Sequence, residues 1–145
     1  MRFIAVNLSK YFKNRMMSIE HIAIWTIDLE KMKSFYCHFF GATANQKYVN
    51  IKTGFESYFL SFAKGARLEI MYSPAIVDIP KDILLQTKGL VHFAIAVGSI
   101  EKVNELTETL ANEGFTIVGK PRTTGDGYYE SVVLDPENNR IEITI

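Results

Sequence analysis

The segment IEHIAIWTIDLEKMKSFYCHFFG, residues 19–41, has a counterpart in LVHFAIAVGSIEKVNELTETLANEG, residues 90–114. Each segment opens with an apolar run that contains one histidine, continues through a residue able to cap a helix, and ends an amphipathic stretch at glycine. The histidines, His21 and His92, lie 71 positions apart. Similarity at a fixed spacing is typical of a duplicated structural unit. The chain is therefore predicted to contain two copies of one module.

The two copies also end alike, in ARLEIMY (66–72) and NRIEITI (139–145). Both endings alternate apolar and polar residues, as a half-buried strand does, and both place arginine two positions before glutamate. The glutamates, Glu69 and Glu142, lie 73 positions apart, so the spacing of the repeat changes little from one end of a module to the other. The duplication therefore covers whole halves of the chain.

Hydrophobic periodicity predicts the element order βαβββ in each half, and the fold class is therefore α+β with two tandem modules. The elements predicted for the first half are strand 18–26, helix 29–40 and strands 46–52, 55–63 and 66–72. Those predicted for the second half are strand 90–97, helix 99–113 and strands 115–119, 128–134 and 140–145. The predicted boundaries are an N-terminal extension (1–17), module one (18–73), a linker (74–88) and module two (89–145).

Composition narrows the function classes. The 145 residues suit one domain, and Lys+Arg 16 balances Asp+Glu 16, which argues against nucleic acid or an anionic membrane as the main partner. One cysteine, Cys37, excludes an intramolecular disulfide and sites built from several cysteines, and no apolar run approaches the ~20 residues of a membrane span. We expect a cytoplasmic protein. The N-terminal extension either precedes a native start near Met17 or forms a short helix at the domain edge.

Strand parity places four ionisable residues on one kind of surface. Alternate side chains of a strand point to opposite faces, so His21, Glu69, His92 and Glu142 all lie on faces turned away from the helices. Burying ionisable groups among apolar neighbours is costly unless they are paired or hold a metal. Two imidazoles and two carboxylates are a donor set for a divalent metal ion. The sequence therefore predicts a metal site, with a solvated sheet face as the alternative.

Further residues are candidates for a substrate pocket. Trp25 and Met71 share the parity of the metal ligands and form either an apolar wall for substrate or ordinary core. Arg67 and Arg140 share that parity too and either hold an anionic substrate or, as we favour, form cross-strand ion pairs.

A second group of pocket candidates surrounds the GDG loop at 125–127, which is predicted to be a mobile rim. These candidates are Arg122, Tyr128 and Tyr129.

The chain resembles the vicinal oxygen chelate superfamily, which contains glyoxalases, bleomycin-resistance proteins and dioxygenases. The resemblance rests on four segments in order: EHIAIWTIDLEKMKSFY, RLEIMYS, GLVHFAIAV and DPENNRIEITI. It covers about residues 18–145, and PRTTGDGYYESVVLDPENNRIEI (121–143) is similar to a common ending in the superfamily. The resemblance implies paired modules whose mixed sheet curls into an open barrel around a metal site, with the helices outside. It also implies a homodimer that acts on a small molecule.

Within the superfamily, the order His–Glu–His–Glu resembles glyoxalase I of the bacterial type, a lactoylglutathione lyase. This implies a lyase or isomerase that forms a metal-stabilised enediolate, with Glu142 as the base and Glu69 as the acid or second base. One divalent ion per site is implied, with Zn²⁺, Ni²⁺ or Co²⁺ favoured over Mn²⁺ or Fe²⁺. Trp25 and Ser73 stand where glyoxalase I has a basic residue and an asparagine, which argues against a glutathione-derived substrate.

Two other functions remain as alternatives at this point. One is a non-heme Fe(II) dioxygenase of the extradiol type, which would use three of the four ligands. The other is a protein that binds a small molecule, as in antibiotic resistance, without turnover. The sequence also leaves open whether each site is built within one chain or shared between two.

Overall fold

The structure, a computed structural model, describes residues 17–80, 82–85 and 87–145. Module one consists of β1 (His21–Trp25), α1 (Leu29–Phe40), β2 (Thr43–Ala44), β3 (Tyr48–Asn50), β4 (Phe55–Ser61) and β5 (Arg67–Tyr72). Module two consists of β6 (His92–Ala96), α2 (Ile100–Asn112), β7 (Ile117–Thr123), β8 (Tyr129–Leu134) and β9 (Arg140–Thr144). The predicted N-terminal extension lies outside the described residues, apart from Met17.

Each module builds its own mixed sheet. Sheet one has the order β1-β5-β4-β2, with β3 also paired to β4, and sheet two has the order β6-β9-β8-β7. In both sheets the first strand runs parallel to the last and the other pairings are antiparallel. The α+β class and the paired modules are thus confirmed. In the described part of the chain the strands form two mixed sheets, and neither sheet closes on itself.

Helix α1 begins at the predicted residue, and α2 begins one residue later than predicted, at Ile100. Asp28 accepts a hydrogen bond from the backbone N–H of Lys31 at 3.0 Å, and Ser99 accepts one from the backbone N–H of Lys102 at 3.3 Å. Both therefore cap helix N-termini whose first N–H groups have no partner within the helix. Gly41 ends α1 with a φ of 63°, a left-handed conformation that favours glycine.

Two strand predictions need correction. The short strand β2 was not predicted, because two residues carry too little alternation to be seen. The strand β7 continues through Pro121 to Thr123, where a loop was predicted. The strand tolerates Pro121 because β7 lies at the edge of sheet two. Its pairing with β8 is also irregular between Gly119 and Arg122, so the missing N–H of the proline removes no hydrogen bond from a regular ladder.

Aromatic side chains of α1 pack against module two. The ring of Phe35 lies 4.9 Å from that of Phe115, and the ring of Phe39 lies 5.3 Å from it. Tyr36 is fully buried, with its ring 6.3 Å from that of Phe93. Such contacts bury large apolar areas and add favourable ring geometry. The helix of the first module is therefore part of the core that both modules share.

Polar groups of the turn 135–139 complete this junction. The hydroxyl of Tyr36 donates to the carboxylate of Asp135 at 2.8 Å, and Asp135 also accepts from the backbone N–H groups of Glu137 and Asn139. Burial raises the pKa of Asp135, although its hydrogen bonds with Asn139 and Tyr36 oppose that shift. The Glu137 carboxylate accepts from the backbone N–H of Asp28 at 2.8 Å. A turn of module two thus holds the N-terminal end of α1.

The junction predicts a stability effect for Tyr36→Phe. This change removes one donor to a buried carboxylate and leaves the ring in place, so the free energy of unfolding should fall by about 1 kcal/mol. For a chain of this size that corresponds to a midpoint lower by about 3 °C in thermal unfolding followed by circular dichroism. Tyr48→Phe, at an exposed tyrosine, is the control and should leave the midpoint unchanged. Equal midpoints for the two variants would contradict the role of this hydrogen bond.

Candidate metal centre

The parallel pairing of the first and last strands brings each histidine to a glutamate. In sheet one His21 stands opposite Arg67 and Ala23 stands opposite Glu69, so His21 and Glu69 are two residues apart in the register and share one face. His21 Nε2 lies 3.8 Å from Glu69 Oε2. In sheet two His92 Nε2 lies 3.3 Å from Glu142 Oε2 through the equivalent register. We call these pair one and pair two. The duplication thus places an equivalent His–Glu pair in each of the two sheets.

The spacing within each pair fits two ligands of one ion. Donors about 2.1 Å from a metal, at angles between octahedral and tetrahedral, lie about 3.0–3.4 Å from each other. The distances of 3.3 Å and 3.8 Å are at or near that range, and imidazole with carboxylate suits zinc, nickel, cobalt, iron or manganese. Each pair therefore has the chemistry and spacing of half a metal site.

Pair one also has the surroundings of a metal ligand. Glu20 Oε2 lies 2.6 Å from His21 Nδ1, and Arg67 pairs with the same carboxylate. A carboxylate on one ring nitrogen keeps the proton there and leaves the other nitrogen free to bind a cation. Arg67 therefore forms a cross-strand ion pair, and its guanidinium also lies 4.1 Å from the centre of the Phe59 ring.

The two pairs are not brought together within one chain. Among the described residues there is no group of three or more His, Cys, Asp or Glu side chains placed to hold a metal ion. The imidazoles of His21 and His92 are 39% and 42% exposed, whereas the carboxylates of Glu69 and Glu142 are 15% and 17% exposed. The expectation that all four groups are buried is therefore wrong for the histidines, because β1 and β6 are edge strands.

The ligand face of sheet one is largely aromatic. Trp25 is 52% exposed, which contradicts a place in the core, and its ring meets that of Phe55 edge-on at 6.1 Å. The ring of Tyr48 also lies 6.1 Å from that of Phe55, and Phe59 meets the His21 ring edge-on at 5.3 Å. Met71 stands opposite Trp25 in the parallel register.

The sequence reading missed Phe55, Tyr48 and Phe59 on this face. Phe59 pairs with Glu69 across β4 and β5, and Phe55 shares its face by even spacing. Tyr48 belongs to the same face because it pairs with Ser57, which pairs with Met71.

The ligand face of sheet two is charged. Glu130 is buried, and its carboxylate lies 3.1 Å from Arg122 Nη2, so Arg122 does lie on this face. The pKa of Glu142 is raised, first by burial and then by the charge of Glu130, while His92 and Arg122 oppose the shift. Glu130 was also missed from the sequence; its even spacing from Val132, which pairs with Glu142, is the signal that identifies its face.

Three other candidates lie differently. Tyr129 points to the helix side of sheet two, where its hydroxyl donates to Asn104 of α2 at 2.9 Å, so its place in a substrate pocket is wrong. Tyr128 is exposed at the turn after β7, where its backbone N–H donates to Thr124. Arg140 donates to the backbone carbonyl of Ile83 at 2.5 Å, and among the described residues it does not form the cross-strand ion pair that was favoured.

Two βαβββ modules, each with a His–Glu pair on the face turned away from its helix, define a tandem α+β protein of the vicinal oxygen chelate type. The chain belongs to the Glyoxalase/Bleomycin resistance protein/Dioxygenase superfamily, whose family model matches residues 18–143. The resemblance seen in the sequence is therefore confirmed. In the described part of the chain, no helix is long and apolar enough to cross a membrane.

Solved structures show the same fold at low sequence identity. The chain is similar to glyoxalase I from Zea mays (23% identity, TM-score 0.71, 88% of this chain and 44% of that chain). It is also similar to a glyoxalase family protein from Enterococcus faecalis (23% identity, TM-score 0.69, 93% of this chain and 99% of that chain). A third similar structure is the trypanothione-dependent glyoxalase I of Leishmania major (20% identity, TM-score 0.68, 89% of this chain and 86% of that chain). The chain thus spans less than half the length of the maize protein. None of the curated proteins matches it in sequence.

Proposed function

We propose that this protein is a divalent-metal-dependent enzyme of the glyoxalase type, a lyase or isomerase that acts on a small substrate with two adjacent oxygen atoms. The observation that carries the proposal is the pair of equivalent His–Glu contacts, of which the one at 3.3 Å has the spacing of two ligands on one ion and the one at 3.8 Å is slightly longer. In both modules the histidine and the glutamate stand on the face turned away from the helix, and the glutamate carboxylates are mostly buried.

The complete site is proposed to form in a homodimer. Pair one and pair two supply two ligands each, and the described part of one chain does not gather them into one centre. The strands that carry the histidines, β1 and β6, are edges of their sheets and leave backbone hydrogen-bonding groups open to pairing. A two-fold dimer that joins β1 of one chain to β6 of the other would unite pair one with pair two twice.

The roles of the four residues follow from their chemistry. His21 and His92 would hold the ion, and Glu69 and Glu142 would bind it less firmly and exchange a proton with the substrate carbon beside the carbonyl group. When bound, a divalent ion would supply the positive charge that stabilises the oxygen anion developing next to that carbon. We assign proton removal to Glu142, because burial and the neighbouring Glu130 raise the pKa of its carboxyl, and proton return to Glu69.

The aromatic face of sheet one favours a substrate with an apolar group. Trp25 stands four residues after His21 on β1, about 13 Å along the strand, and Phe55 and Tyr48 extend the apolar surface beyond it. Arg67, a cation of this face, is already paired with Glu20. This surface suits an acyl or aryl group better than the carboxylates of a glutathione-derived substrate.

Metal content tests the proposed centre directly. The purified full-length protein should contain about one divalent ion per chain by mass spectrometry, and His21→Ala and Glu142→Ala should each lose most of it, because each removes a ligand from every shared site. Glu56→Ala, at a glutamate on the helix side of sheet one, is the control and should keep its metal.

The metal identified would also separate the candidate reactions. No metal after reloading would contradict the enzyme proposal and favour a binding protein without turnover. Iron together with oxygen consumption on catechols would favour the dioxygenase instead. The cytoplasmic location stays a prediction of the sequence.

Matched chelators test the apolar surface. Acetohydroxamate and octanohydroxamate present the same two adjacent oxygens to a metal and differ only in chain length. Calorimetric titration of the Co²⁺-loaded protein should show octanohydroxamate binding at least about tenfold more tightly, because methylene groups leave water on this surface. Trp25→Ala should reduce that preference severalfold and leave acetohydroxamate binding unchanged.

The control for this titration is Ile100→Ala, which shortens a similarly exposed side chain at the start of α2. Its chain-length preference should equal that of the wild type. Equal binding of the two chelators by the wild type would contradict the apolar subsite, whereas no binding of either would contradict the metal centre.

A further inference from the structure

Glu130 is a buried carboxylate with no structural need for its charge. It lies on β8, its side chain is only 11% exposed, and it shares the ligand face of sheet two with Glu142. In the antiparallel register Glu142 pairs with Val132 and Glu130 pairs with Thr144, so the two glutamates are diagonal neighbours on this face. Two carboxylates so placed repel each other when both are ionised, and poor solvation strengthens the repulsion. The arrangement needs compensating positive charge.

The cations of this face compensate only part of that charge. Arg122 lies 3.1 Å from Glu130 and neutralises that carboxylate. His92 faces Glu142 at 3.3 Å but is positive only when protonated, and a histidine that binds a metal must be neutral. A divalent cation held by His92 and Glu142 would supply the missing charge. Glu130 and Arg122 would then stand beside the centre as a neutral pair, and Glu130 need not be a ligand.

The repeat shows that the fold itself does not require this residue. Glu130 pairs with Thr144 in sheet two, and Ser57 pairs with Met71 at the equivalent position of sheet one. Ser57 is equally buried, so the position accepts a small neutral side chain in the same strand context. The acid is thus a feature of pair two alone, while pair one has Glu20 behind its histidine.

We propose that Glu130, held by Arg122, is a positioning residue of the metal centre that orients the Glu142 carboxylate toward His92 and the ion. The inference rests on the proposed function, because it assumes that pair two binds a metal. Residues behind the direct ligands commonly change metal affinity by about 10- to 100-fold when they are replaced. Glu130 acts through Glu142 and is not itself assigned a contact with substrate.

The test is a titration of the metal-free full-length protein with Co²⁺, followed by visible absorption and by competition with a chelator. Glu130→Gln keeps the shape and removes the charge, and it should raise the Kd for Co²⁺ about 10- to 100-fold and shift the absorption bands. Glu130→Ser, which introduces the residue found at the equivalent position 57 of module one, should weaken Co²⁺ binding in the same way. It replaces the first variant in the test if Glu130→Gln folds poorly. Glu56→Gln, at a strand glutamate paired with Lys47, is the matched control and should behave as the wild type.

The outcomes separate this inference from the function on which it rests. A Glu130→Gln or Glu130→Ser protein that folds and binds Co²⁺ with the affinity and spectrum of the wild type would overturn the inference and leave the metal centre standing. A wild type that binds no Co²⁺ would overturn the metal centre and the inference together. If Glu56→Gln weakened Co²⁺ binding as much as Glu130→Gln, the inference would also be overturned. The loss of affinity would then reflect the lower negative charge of the whole protein and not the position of Glu130.

Discussion

The hydrogen bond from Tyr36 to Asp135, together with the Glu137 carboxylate at the start of α1, is the constraint on which the arrangement of the two modules depends. It joins the helix of module one to the last turn of module two inside a core of aromatic rings. Polar contacts in such a place are directional and leave little freedom of orientation. Once the modules are held through this junction, each sheet keeps its ligand face open, and the two His–Glu pairs remain apart within a chain.

The second constraint is the parallel pairing of the first and last strand of each module. It sets histidine and glutamate one register step apart on one face, and the duplication repeats this in both sheets. The equivalence of the modules ends there, because sheet one surrounds its pair with aromatic rings and sheet two surrounds its pair with Glu130 and Arg122. In a shared site these faces would give the substrate one apolar side and one charged side.

Much of this could be predicted because it depends on neighbours in sequence. The bounds of α1, the caps at Asp28 and Ser99, and the faces of His21 and Glu69 follow from local chemistry and strand parity. Tyr129 was misplaced because its face depends on the register of β8 against β9, which parity within one strand does not set. Phe55 and Glu130 were missed for the same reason. The separation of the two sheets depends on the long-range junction at Tyr36, which no local pattern reveals.

The central claim is that each metal centre takes pair one from one chain and pair two from another. A mixture of two variants tests it most directly: one chain carries His21→Ala and Glu69→Ala, the other carries His92→Ala and Glu142→Ala. Each variant alone should bind almost no metal. After unfolding and refolding together, the isolated mixed dimer should bind about one ion, because one of its two centres regains all four ligands. A mixed dimer as empty as its parents would contradict the shared centre and place each site within a single chain.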